Sequence, residues 1–157
     1  MAFIKHIIVA CAVDSISSYT VRYAIEFAKI VNARLTILHI VDTSKLKELI
    51  KIGFFKEYER KNIEQDLERE GKIFVERFQA IAKEKGVECD VLVMWGTVHK
   101  QVAQVVKDTG ANLLIIGGNP GICEAGRSTI GELILAEVPC PVLVVKRVKH
   151  DWMDDLM

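Results

Sequence analysis

The segment Gly117-Gly118-Asn119-Pro120-Gly121, with Gly126 and Gly131-Glu132 beyond it, holds the residue types whose spacing could do chemistry in this chain. Glycines after a buried strand let the backbone approach a ligand closely. They also turn several N–H groups into one concavity, which suits phosphate oxygens. A helix opening at Glu132 would add the positive end of its dipole. Between Gly121 and Gly131 the chain offers one cation, Arg127, against Glu124. Such a cradle must therefore hold anions mainly with backbone amides. The same glycines also read as a tight turn and a connection with no ligand.

Other chemistry is sparse. There is no Gly-x-Ser-x-Gly elbow and no Walker A sequence. His6, His39, His99 and His150 lack metal-ligand spacing. His39 ends a strand and reads as structural. His99 opens a helix near the expected crevice rim, without a sequence-evident acid or nucleophile partner. None of Cys11, Cys89, Cys123 and Cys140 forms a Cys-x-x-Cys pair, so neither a zinc site nor a redox pair is expected. Three of them lie in or beside apolar runs as small hydrophobes. Cys123, in a loop, is the thiol to test for reactivity. Asp14 and Asp42 could meet near a pocket and hold Mg²⁺; the competing reading makes each a helix cap or turn residue. The spacing assigns no catalytic residue and no metal site.

The elements that must position these groups follow from hydrophobic periodicity. Buried strands are expected over 7–13, 34–41, 87–95, 113–116 and 141–145. Helices are expected over 17–31, 61–85, 98–108 and 132–138. Asp14, Ser15 or Ser17 can cap the first helix, and Gly86 and Gly110 stop the second and third. The stretch 42–60 mixes Lys and Glu with Leu46, Leu49, Ile50, Phe54 and Phe55 around Gly53, and reads as a short helix plus a loop. Alternating strands and helices imply right-handed crossovers and a parallel sheet covered on both faces. Ligands of such sheets bind beyond the carboxyl ends of the strands, where the winding reverses.

The chain has 157 residues, half of them hydrophobic and 27% charged, with a formal net charge of zero. That fits one packed domain over 1–147, with 148–157 as a C-terminal tail. It argues against a nucleic-acid partner, which calls for an excess of Lys and Arg. The first apolar run is too short to span a membrane, and no secretory signal is seen, so the expected location is cytoplasmic.

At these residues the sequence resembles the universal stress protein family. Gly118-x-x-Gly121, nine residues, then Gly131 is similar to the family's nucleotide motif. The segments 111–117 and 139–145 resemble its fourth and fifth strands, 38–42 the end of its second, and 24–28 its first helix. The resemblance implies a three-layer α/β/α fold of the adenine nucleotide alpha hydrolase-like type, with a five-stranded parallel sheet of order 3-2-1-4-5. It implies ATP or a related adenine nucleotide as ligand, with Mg²⁺ admitted alongside. The base would lie near Ala10, Ala12 and Val41, and the phosphates near Gly117, Gly118, Gly121, Arg127, Gly131, Glu132 and Leu133. It further implies a homodimer through the strand Val142–Val145, whose apolar edge would otherwise be open.

Two positions depart from the family. Ala12 stands where nucleotide-binding members carry Asp, with Asp14 two residues late. A lost hydrogen bond of that kind costs roughly 0.5–1.5 kcal/mol. Glu132 stands where the motif has Ser or Thr. A carboxylate about 4 Å from a phosphate charge costs on the order of 4 kcal/mol at an effective dielectric of about 20. Thr129-x-x-Glu132 alternatively reads as a capping box. Two functions follow: a nucleotide-responsive stress regulator, at most a slow ATPase, or a dimeric interaction protein of the same fold that no longer binds nucleotide.

Overall fold

The first strand, β1 (His6–Cys11), is apolar at every position from Ile7 to Val9 because both of its faces are covered. Side chains alternate across a strand. Ile7 and Val9 therefore join one core while Ile8 joins the other. The same logic shapes β2 (Arg34–Asp42), where Leu35 and Ile37 face one layer and Leu38 and Ile40 the opposite one. Each such side chain removed from water contributes about 1.5–3 kcal/mol. The computed structural model describes residues 3–118 and 130–146.

The remaining elements are α1 (Ser15–Val31), α2 (Thr43–Lys51), a 3₁₀ turn at Glu57–Glu59, α3 (Arg60–Glu84), β3 (Cys89–Gly96), α4 (Val98–Thr109), β4 (Leu113–Gly118), α5 (Ile130–Glu137) and β5 (Val142–Lys146). All strand pairs are parallel, in the order β3-β2-β1-β4-β5. This is the expected three-layer arrangement. On one face, Val21, Ala24 and Ile25 of α1 pack with Phe74, Val75 and Phe78 of α3. On the other, Val102, Val105 and Val106 of α4 pack with Ile134 of α5.

The winding reverses at β1. From there the chain builds outward through β2 and β3, then α4 carries it back across to β4 on the opposite side. The carboxyl ends of β1 and β4 therefore part around a crevice.

Several boundaries differ from the sequence expectation. β1 stops at Cys11, not Val13. Ala12 leaves the ladder and gives its N–H to the Ser17 hydroxyl at 3.0 Å. Asp14 then caps α1 by accepting from the Ser17 amide at 2.6 Å. α5 opens at Ile130, two residues before Glu132. Gly117 and Gly118, expected to begin a loop, extend β4 and pair with Val145 and Lys146 of β5. The 42–60 stretch contains the regular helix α2 of nine residues, capped by Asp42. The expected tail and the proposed Thr129 half of a capping box lie outside the described residues.

Candidate functional site

A cavity of about 640 Å³ opens at the carboxyl ends of β1, β2 and β4, the point where the winding reverses. That volume is in the range of small-molecule sites. Its floor is the ends of the strands: Ala10 to Ala12 of β1 and the residue after it, Leu38 to Asp42 of β2, and Ile116 to Gly118 of β4. One wall comes from α1 through Ser17 and Thr20. Another comes from α4 and α5 through Val98, Val102, Ile130, Gly131 and Ile134.

The remaining wall was not foreseen. It is formed by Leu46 and Leu49 of α2, Phe55 of the following turn, and Ile63 and Leu67 of α3. The signal was present in the i,i+3 spacing of Leu46 and Leu49 and the i,i+4 spacing of Ile63 and Leu67, each a single helix face. A hydroxyl pair holds this wall over the strand ends: Ser44 Oγ lies 2.6 Å from Thr97 Oγ1, joining the first turn of α2 to the residue before α4.

The anticipated residues divide into three groups. Ala10, Ala12, Val41, Gly117, Gly118 and Gly131 all lie on the cavity wall. Glu132 and Leu133 do not, although they follow Gly131 directly in the first turn of α5. Glu132 is exposed. Gly121 and Arg127 fall outside the described residues.

The strand glycines also have a packing reason of their own. A Cβ on Gly117 would stand 2.8 Å from Thr20 Oγ1, so its absence lets α1 close on the sheet. A Cβ on Gly118 would stand 2.4 Å from Val144 Cγ1 of β5.

Polar groups at the cavity are mostly engaged by the fold. His39 is buried, and its Nδ1 donates to the Cys11 carbonyl at 2.9 Å. Its ring is backed by Gly71 of α3, where a Cβ would come within 2.4 Å of His39 Cδ2. The Cys11 thiol donates to the Leu38 carbonyl at 3.5 Å. Burial, and secondarily the charge of Asp14, pushes that thiol up to about 12, so it stays protonated and unreactive at neutral pH. Burial likewise pushes Cys89 up to about 12 and raises Cys140. Cys123 lies outside the described residues.

The aspartates suggested for Mg²⁺ serve as caps. Asp14 holds the Ser17 amide, and an Asp42 oxygen accepts from the Lys45 amide at 3.0 Å. Among the described residues no cluster of three or more His, Cys, Asp or Glu is placed to hold a metal ion. His99 has the acid partner that its sequence neighbourhood did not reveal. Its Nδ1 lies 2.9 Å from Glu137 Oε1, which links α4 to α5 away from the cavity wall.

A small-molecule site with apolar floor and walls, at a reversal point, is what this arrangement offers chemically. No described helix is long and apolar enough to cross a membrane. Comparison with known proteins gives a consistent picture. The family model described as "Universal stress protein family" matches residues 4–146. Universal stress protein MJ0531 of Methanocaldococcus jannaschii is 24% identical over 149 residues, covering 94% of this chain and 85% of its own. Universal stress protein YxiE of Bacillus subtilis is 26% identical, covering 88% of this chain and 97% of its own.

Among solved structures, that of the hypothetical protein MJ0577 superposes with a TM-score of 0.73 at 19% identity, covering 94% of this chain and 99% of that one. A universal stress protein in complex with cAMP gives 0.66 at 16% identity, with 91% and 97% covered. One from Archaeoglobus fulgidus in complex with dAMP gives 0.62 at 16% identity, with 93% and 100% covered.

Proposed function

Because the chain belongs to the universal stress protein family, we propose that it is a cytoplasmic, homodimeric regulator that binds an adenine nucleotide of the ATP type in this cavity. One observation carries the reading: the cavity lies at the sheet's reversal point and is walled by the ends of β1, β2 and β4. The base and sugar suit the apolar floor around Ala10 and Val41. The phosphates lie toward Gly118 and Gly131, the rim nearest the start of α5. Solved relatives in complex with cAMP and dAMP support adenine as the base.

The exposure of Glu132 supports the reading. Its side chain is exposed and is not on the cavity wall, so solvent screens the like-charge contact expected from sequence. Bound nucleotide acts by favouring one state of the protein over another. Any hydrolysis is slow and rests on positioning phosphates and Mg²⁺.

A second reading is favoured by Ala12. It brings no polar side chain to the wall, and its amide is taken by Ser17. On that reading the protein keeps the fold and the dimer without nucleotide.

Melting curves with ATP, ADP and AMP, with and without Mg²⁺, decide between them. A ligand at about 100 times its dissociation constant adds about 2.7 kcal/mol of stability. The expected result is an upward shift with adenine nucleotides and none with cytidine nucleotides. No shift at millimolar ATP, ADP or AMP would establish the second reading.

A further inference from the structure

The lining of the cavity is mostly apolar. Among the described lining residues only Ser17, Thr20, His39, Asp42 and Lys45 carry a polar side chain. Ser17 Oγ accepts the Ala12 amide, His39 Nδ1 holds the Cys11 carbonyl, and Asp42 Oδ1 holds the Lys45 amide. Lys45 is the one Lys or Arg among these lining residues, and it forms no ion pair with a described carboxylate. Leu46, Leu49, Phe55, Ile63 and Leu67 line the cavity with hydrocarbon.

The apolar surface does not stop at the mouth. The Phe54 ring stands edge-on to Phe55 at 4.9 Å, and Phe54 is 71% exposed. Ile52, at the end of α2, and Tyr58, in the 3₁₀ turn, are 70% and 76% exposed. Exposed large apolar residues grouped beside an apolar cavity mark a ligand entrance more often than an accident of surface composition. The segment that carries them, 42–61, holds six Lys and Arg against four Asp and Glu, in a chain of zero net charge.

We infer that the α2–α3 side of the cavity is a binding site for a free long-chain carboxylate. The hydrocarbon tail lies against Leu46, Leu49, Phe55, Ile63 and Leu67, and the anionic head meets Lys45 at the mouth. An apolar wall rewards every methylene taken out of water. A single cation at the mouth selects an anionic head over a neutral one. This inference does not rest on nucleotide binding, although the two ligands would share the floor of the cavity.

The experiment titrates the full chain, by calorimetry below the micelle threshold, with saturated carboxylates of about eight to fourteen carbons and with the matching alcohols. Affinity should rise about fourfold per added CH₂ until the cavity is filled. Carboxylates should bind more tightly than alcohols of equal length, and Lys45→Gln should remove that difference. Leu49→Gln and Phe55→Ala should each weaken the longest bound carboxylate by about tenfold or more, since each removes apolar contact from a buried tail.

Melting curves of the free proteins establish that the variants fold. Phe55→Ala, in the turn, serves if Leu49→Gln does not. An affinity independent of chain length, or unchanged in a folded wall variant, overturns the inference. So does binding of alcohols and carboxylates alike. AMP and ATP titrated in parallel separate the two readings. Nucleotide binding without carboxylate binding removes this one alone, and carboxylate binding without nucleotide binding removes the proposed function alone.

Discussion

His6 shows how a single buried side chain makes the fold sensitive to pH. Its Nδ1 faces the Arg34 guanidinium at 3.3 Å, and its Nε2 lies 2.7 Å from Thr36 Oγ1. A guanidinium only donates. Nδ1 must therefore accept, and the proton sits on Nε2, donated to the threonine. Burial first, and then the positive charge of Arg34, lowers the imidazole below its ordinary value of 6.5, while Asp90 opposes part of the shift. The neutral ring is the folded form. In the unfolded chain His6 takes up a proton near pH 6.5, whereas in the fold it does so only at lower pH. Its contribution to stability is thus complete above 6.5 and is lost as pH falls through the lowered value. Urea midpoints measured from pH 7.5 down to about 5 should fall for the parent chain. They should fall less for His6→Gln, which cannot gain a proton. Equal slopes for the two proteins would remove His6 as the cause.

Helix ends provide the next scale. Asp14 and Asp42 each satisfy a first-turn amide, of α1 and α2 respectively. Replacing either with Ala should cost about 0.5–2 kcal/mol, read as a lower urea midpoint with an unchanged slope. A cap and a metal ligand can be told apart by the same variants. If the aspartates act as caps, the loss should be the same with and without millimolar Mg²⁺. The long elements were legible from sequence because their apolar periods are unambiguous. The runs in β1 and β2 are continuous, and Phe74 and Phe78 mark the inner face of α3. α2 was less so, since nine residues with three lysines and a glutamate give a weak period. Gly117 and Gly118 misled for a different reason. Glycine composition favours a loop, but β1 and β5 lie to either side of β4, and the ladder with β5 continues through both glycines. The site was half legible. Topology alone locates the strand ends around Ala10, Val41 and Gly118. The hydrocarbon wall was legible only as separate apolar helix faces; that these faces and Phe55 border one cavity is a tertiary result that local spacing does not encode.

For the whole molecule the decisive feature is its outer edge. β5 is the last strand of the sheet, paired only with β4 among the described strands, and Val144 is 48% exposed there. Proteins avoid leaving such an edge bare, and a lysine on it blocks strand addition. Sedimentation of the parent chain should give a dimer, and Val144→Lys should shift it toward monomer by at least tenfold in dissociation constant. A monomeric parent would remove the homodimer from the proposed function. The contact between Gly118 and Val144 ties this edge to the cavity. Any side chain introduced at Gly118 would press on Val144 of β5, the edge strand of the proposed dimer. The lining of the crevice and the outer edge of the sheet are therefore in contact through one valine.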